Sequence, residues 1–204
     1  MPDGLQITLT IDQEQLTRVT RTLDGIRDGV PKALSTAINK TLPRLRTIEA
    51  REVRKELNLK HGDILKTIAL RKASPKSLSG SLTTSRHPVP LYLYAARQVR
   101  DGVSVLVRRS RGREVIKGAF IATMKSGHVG VFKRAPDARH RIAMKDGKRR
   151  WTALPIQEQY GPTVVGVLAN KPGMLQKLNE QGNALLAKNL DSQADWLLNK
   201  AQAG

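Results

Sequence analysis

Thirty-six Lys and Arg against 17 Asp and Glu give this 204-residue chain a net charge of +19, with aromatic residues at 3% and no cysteine. The length fits one domain, or one domain with a helical appendage. Disulfides and thiolate zinc sites are excluded, and no run approaches the roughly 20 apolar residues of a membrane span, so no membrane partner is expected. A chain this basic repels itself as a monomer, which calls for an acidic partner or for assembly. Its opening, Met1-Pro2-Asp3-Gly4-Leu5-Gln6, lacks the basic start and apolar run of a signal peptide. The expectation is a protein made in the cytoplasm.

Leu5, Ile7, Leu9 and Ile11 alternate with Gln6, Thr8 and Thr10, the period of a half-buried strand. Asp12 and Gln15 have capping-box spacing and open a helix expected to reach Arg27, with Gly29 ending it. Pro31 suits the start of the next helix. Ala33, Leu34, Ala37, Ile38, Leu42, Leu45, Ile48, Val53 and Leu57 then recur every three or four residues. They predict a long amphipathic helix, with Pro43 as the place for a kink because its ring removes a backbone donor. The stripe Leu34, Ile38, Leu45 and Ile48 should lie against a sheet, while Lys40, Arg44, Arg51, Arg54 and Lys55 fill the other face. Asp63 is placed to cap a short third helix over 64–69.

Residues 71–90 carry five Ser and three Pro. Leu78, Ser79, Ser81 and Leu82 read as strand plus loop, and Pro88 and Pro90 break any helix. Val103, Val105 and Val107 mark a strand and 115–124 the next, with Lys125-Ser126-Gly127-His128 turning into a strand at 129–133. Residues 135–150 are basic and aperiodic, a loop or long hairpin tip. After Pro172-Gly173, Leu175, Leu178, Leu185, Leu186, Leu197 and Leu198 predict one or two helices. The expected fold class is α+β, with long N-terminal helices packed on an antiparallel sheet and a C-terminal helical segment. It is read as a single domain over 1–204: mainly helical at 1–70, sheet at 71–134, basic loop at 135–150 and the helical segment at 151–204.

Catalytic signatures are missing. His61, His87, His128 and His140 lack metal-ligand spacing. Glu49, Glu52 and Glu56 stand at helical spacing beside Arg51, Arg54 and Lys55, and read as ion-pair partners on a solvated face. No P-loop, G-x-S-x-G, H-E-x-x-H or G-x-G-x-x-G occurs. The expectation is no enzyme, no metal and no cofactor, with function carried by surfaces.

Charge is concentrated in residues 101–150, where fourteen Lys and Arg meet four acids, a net of +10. Apolar alternations at 118–124 and 129–132 run through the same stretch, so the charge is mounted on something folded. A sequence-reading nucleic-acid binder would carry a recognisable motif, and a single-strand binder stacking aromatics. Only Phe120, Phe132 and Trp151 are near; the two Phe suit a core, and Trp151 reads equally as a packing anchor or a stacking platform. Sequence-blind contact with phosphates and contact with acidic proteins remain, against the plainer alternative of a solvated basic loop. The contact candidates, for protein or DNA, are Arg108, Arg109, Arg111 and Arg113, on or beside one hairpin, together with Lys148, Arg149 and Arg150.

Four stretches in order carry a family resemblance: Ile116-Lys117-Gly118-Ala119-Phe120-Ile121, the turn Lys125-Ser126-Gly127-His128, Val131-Phe132-Lys133-Arg134, and Leu154-Pro155-Ile156 with Tyr160-Gly161-Pro162. They resemble the prophage minor tail protein Z family, tail-completion proteins of lambda-like tailed phages. Val30-Pro31-Lys32-Ala33-Leu34 with Ala37-Ile38-Asn39-Lys40 is similar to that family's N-terminal half, as is the Arg-rich strand pair around 108–113. The strand at 5–11 and the length of 135–150 depart from the family pattern. The resemblance implies a structural virion protein without a catalytic centre or cofactor. It would be a tail-completion or neck ring subunit at the head-proximal end of the tail, supporting head–tail joining and DNA passage. Implied partners are further copies of the chain in a ring, a hexamer by analogy, then neighbouring tail-terminator, tail-tube or head–tail connector proteins, and genomic DNA in the lumen. The alternative class is a sequence-nonspecific DNA-binding protein associated with packaging or a nucleoid.

Overall fold

In the computed structural model, which describes residues 4–9, 11, 13–136, 139, 142–151 and 155–203, the chain divides into two compact units. The first comprises residues 1–54, 61–87 and 163–204; the second comprises 55–60 and 88–162. Helices and antiparallel strands both contribute, making an α+β fold with a long N-terminal and a long C-terminal helix.

The first unit opens with β1 (Gly4–Thr8) and α1 (Gln13–Thr22), followed by α2 (Gly29–Glu56), whose last two residues fall in the second unit. Then come α3 (His61–Lys66), β2 (Ile68–Arg71) and β3 (Ser81–Ser85), and the unit closes with α4 (Val164–Asn170) and α5 (Met174–Gln202). Its sheet runs β1-β3-β2, with Leu82 of the central strand opposite both Ile7 and Leu70. Apolar periodicity puts α2 at the centre of the core: Leu34, Ile38, Leu42, Leu45 and Val53 are buried, and Ile48 is half-buried. Towards the sheet, Thr84 Oγ1 donates to Glu49 Oε1. At Gly80 an added Cβ would stand 2.7 Å from Ile38 Cγ2 and 2.8 Å from Leu42 Cδ1, so the chain passes α2 only without a side chain there. Towards α5, Asn189 Nδ2 donates to Thr41 Oγ1 at 2.9 Å inside the core. Gly182 of α5 faces Leu45, whose Cδ2 would be 3.0 Å from an added Cβ. The Asn39 amide holds the loop after β2 through both its atoms, donating to Ala73 O at 2.9 Å and accepting from Ala73 N at 2.8 Å.

Local chemistry moves several boundaries. α1 stops at Thr22 instead of Arg27: the hydroxyls of Thr17, Thr20 and Thr22 back-bond to Gln13 O, Leu16 O and Arg18 O, a mode that weakens helices. Gly25 and Asp28 then take left-handed φ of 78° and 56°. Asp12, the expected cap, lies outside the described residues. α2 begins at Gly29, ahead of Pro31, and continues through Pro43. The helix expected over 64–69 is α3 followed by β2; both the N–H and the hydroxyl of Thr67 close on Ile64 O, at 3.0 and 2.7 Å. Glu49, expected on a solvated face, is fully buried, because the helix turns that position toward the sheet.

The second unit is built from β4 (Arg97–Val99), β5 (Gly102–Val105), β6 (Glu114–Lys117), β7 (Ala119–Thr123), β8 (Val129–Arg134), β9 (Ile142–Lys145), β10 (Lys148–Trp151) and β11 (Ile156–Glu158). They form three antiparallel sheets of order β4-β5-β6, β11-β8-β7 and β10-β9. The expected single sheet over 71–134 is therefore distributed, with β2 and β3 belonging to the first unit. The expected continuous strand over 115–124 is broken at Gly118, whose left-handed φ of 71° lets the chain leave one sheet and enter another. The span 135–150, expected as a loop or long hairpin tip, holds most of the β9–β10 hairpin, which runs on to Trp151 and is closed by Asp146 and Gly147 at φ 55° and 71°, the two left-handed positions of a type I′ turn.

Tyr94, fully buried, anchors the second unit, and burial pushes its hydroxyl pKa upward. Its Oη donates to Pro162 O at 2.9 Å. A Cβ at Gly161 would stand 2.5 Å from Tyr94 Cε2. The Tyr160-Gly161-Pro162 stretch is thus a cradle for this ring, tied by Gly161 N–H to Val89 O at 2.8 Å.

Three outcomes follow from this packing. Leu45→Ala should lower unfolding stability by about 2–5 kcal/mol in urea melts, and Leu45→Asp should abolish soluble protein; a cost under about 1 kcal/mol for the alanine variant would mean the buried face of α2 is misread. Tyr94→Phe should cost about 1–1.5 kcal/mol through the stranded Pro162 carbonyl, and Gly161→Ala more, measured the same way. For Glu49, burial raises its pKa above the ordinary 4.5, opposed by the Thr84 hydrogen bond and the charge of Arg46. The folded state holds this proton more tightly than the unfolded chain does, so the group's contribution is complete below about pH 4.5 and is lost as pH rises through the raised value. Glu49→Gln should flatten the stability–pH curve across that window; superimposable curves would contradict it.

Candidate interaction surface

The second unit holds eighteen Lys and Arg against six Asp and Glu, a net of +12, compared with +7 for the first unit. Four of the expected contact residues lie in the loop that joins β5 to β6, and they are not equivalent. Arg113 is a clamp: its Nε donates to Ser104 Oγ at 2.9 Å, and its Nη2 donates to Ser104 O at 2.8 Å and Ala95 O at 2.7 Å. Its Nε and Nη2 are committed to the fold, although the residue is exposed. Arg108 is half-buried and forms a β-bridge with Leu57. The backbone on either side is pinned, with Asn58 N–H on Val107 O and Arg109 N–H on Glu56 O, both at 2.9 Å. Arg109 and Arg111 are exposed on the turn that follows, where Arg111 N–H reaches Arg108 O at 3.2 Å. The structure gathers these four arginines, then, but one of them is structural.

Lys148, Arg149 and Arg150 lie on β10, in a different hairpin. Lys148 and Arg149 are exposed; the side chain of Arg150 lies outside the described residues, as do His140 and the side chain of Trp151. Lys148 pairs across the ladder with Lys145, and Arg149 with Met144.

Two groupings had no signal in the sequence. Glu158 of β11 takes a hydrogen bond from Tyr160 Oη at 2.9 Å and holds His128 Nε2 at 2.8 Å, tying the β7–β8 turn to β11. Gly130 makes room for it, since a Cβ there would meet Glu158 Oε1 at 2.7 Å. The bond to Glu158, ahead of burial, raises the Tyr160 pKa. This trio joins residues thirty apart, and only the register of β8 with β11 shows it. In the first unit, Ile26, Trp196 and Leu197 line a groove with Lys32 and Lys200 at its rim. Trp196 is 54% exposed, and Lys200 Nζ stands 5.2 Å from its ring centroid. Among the described residues, no group of three or more His, Cys, Asp or Glu is placed to hold a metal ion, and no helix is long and apolar enough to cross a membrane.

The sequence profile described as Prophage minor tail protein Z (GPZ) matches residues 15–194, a span that includes the whole of the second unit, 135–150 among it, and most of the first, but leaves out β1. Neither the curated proteins nor the solved structures contain a significant match. On a profile match over most of its length, the chain belongs to the prophage minor tail protein Z family, whose members are structural proteins of the phage tail and components of the virion.

Proposed function

We propose that the chain is a ring subunit that completes the head-proximal end of a phage tail, where it supports head–tail joining and DNA passage. The family match over 15–194 carries this proposal. Two physical features favour an assembled protein over a solitary one. The Trp196 groove leaves a large apolar side chain in water, which a neighbouring surface would cover. A net charge of +19 opposes self-association unless acidic neighbours or a polyanion offset it. Heterologous contacts repeated around an axis close into a ring that leaves no such face open. By analogy with sixfold tail symmetry, the ring we infer is a hexamer. Its other neighbours are tail-terminator, tail-tube or head–tail connector proteins, and no catalysis is assigned to it.

Cryo-electron microscopy of intact particles should show a closed ring of this chain at the top of the tail. One isolated copy per particle, a twofold dimer, or a species found only free in solution would defeat the assignment. Trp196→Ser should leave the unfolding midpoint of the purified protein nearly unchanged while sharply reducing its incorporation into tails; full incorporation would remove the groove from the interface.

A further inference from the structure

The β9–β10 hairpin stands alone as a two-stranded sheet. Two-stranded ribbons are marginal in water, so stability must come from something laid against them. Ile142 and Met144, two residues apart and therefore on one face, are 53% and 68% exposed. Arg149, directly opposite Met144 in the ladder, shares that face, and Lys148, one residue earlier, belongs to the other. Neither cation is ion-paired among the described residues. The ten residues 142–151 hold four Lys and Arg and one acid, Asp146, which sits in the turn.

From this juxtaposition we infer that the β9–β10 hairpin is a contact for duplex DNA, a basic ribbon seated in a groove and held by phosphates without reading bases. The charge distribution selects the partner. A flat acidic protein surface would meet one face of the ribbon and leave the cation on the other face in solvent. A groove is walled by phosphates on both sides and meets both. Strands about 4.8 Å apart fit within a major groove about 12 Å wide. Ile142 and Met144, on the same face as Arg149, then pack against the sugars of that wall, which removes them from water. Lys and Arg on phosphates fix position and carry no sequence information. A second copy of the chain is the least suitable occupant, because it brings a further +19. The inference goes beyond the ring assignment and is independent of it, since a free chain carries the same ribbon.

The test uses full-length protein and a fluorescently labelled random-sequence duplex, titrated by anisotropy at a series of salt concentrations. Lys148→Gln/Arg149→Gln should weaken binding and make the log–log salt dependence shallower by about 1.8, from roughly 0.9 per phosphate contact. Ile142→Ser/Met144→Ser should weaken binding at every salt concentration with the slope retained. Lys72→Gln/Lys76→Gln removes equal charge from exposed positions of the first unit and should leave the slope as in the wild type. All six positions are exposed, so unfolding midpoints should stay at the wild-type value. Absence of DNA binding by the wild type would overturn the inference, as would equal losses in the two charge variants, which would reduce the effect to bulk charge. A hairpin variant that keeps full DNA affinity but loses binding to polyglutamate would overturn it in favour of an acidic protein partner.

Discussion

A helix buried on two sides constrains everything packed against it, and α2 is such a helix. Its 28 residues present Glu49, Ile38 and Leu42 toward the sheet side and Thr41 and Leu45 toward α5. Each neighbour must then come close without a side chain in the way, which explains Gly80 on one side and Gly182 on the other. Polar groups trapped between the layers need partners. Thr41 finds two, donating to Ala37 O and accepting from Asn189. Glu49 finds one for Oε1, while its Oε2 is left without a hydrogen bond among the described residues. An unsatisfied buried carboxylate costs more than a methylene would, and protonation is the cheapest relief. The surface pair Arg18–Asp191, joining α1 to α5, contributes far less, because both side chains remain solvated.

The second unit solves a different problem, that of carrying many like charges on short strands, and it holds six of the chain's seven aromatic residues. It fixes the frame with a few hydrogen-bonded contacts, namely Tyr94 against Gly161 and Pro162, Arg113 across Ser104 and Ala95, and Glu158 between His128 and Tyr160. Arg134 covers the Phe120 ring at 5.7 Å, so one of the cations also serves as packing. Cations such as Arg111, Lys117 and Arg149 then face outward. Exposed Lys and Arg on strands such as β6 and β10 also discourage edge-to-edge pairing between copies.

Much of this was legible in the sequence where a period was long or a residue type was decisive. The 3.6-residue repeat through Leu34, Ile38 and Leu45 located the central helix and its buried positions, although Leu45, expected against the sheet, faces α5. The valines at 103 and 105 located a central strand, and the absence of cysteine closed off whole classes of chemistry. The α+β class followed from such features, and the family resemblance from four ordered stretches between Ile116 and Pro162. Short elements were less legible. Ile68–Arg71 has the composition of a helix end or of a strand, and only pairing with β3 decides it. Gly118 looked like a residue within a strand because sequence does not reveal the sign of φ. Glu49 sat in a row of charges whose helical spacing suits a wet face, and its burial depends on where the sheet lies. Arg113 was indistinguishable from Arg111 until the turn at Ala95 was placed beside it. In each case the missing information was long-range register, which has no local signature.

The first unit is assembled from three separated pieces of chain, with the second unit emerging between them. Arg18 on α1 meets Asp191 on α5 across 173 positions, and Thr41 meets Asn189 across 148. During synthesis, α2 leaves the ribosome long before the helix that covers its Leu45 side. At about 5–20 residues per second that interval is on the order of ten seconds or more. Residues 88–162 are complete within it and complete the second unit with the earlier residues 55–60, so the inserted unit can fold first while the apolar side of α2 waits. Contacts of such separation also slow closure of the first unit, since loop entropy must be overcome before they form. Nascent chains therefore pass through a half-covered state in which α2 is open to chaperones and to other chains. Late arrival of α5 sets the moment at which the first unit can close over α2.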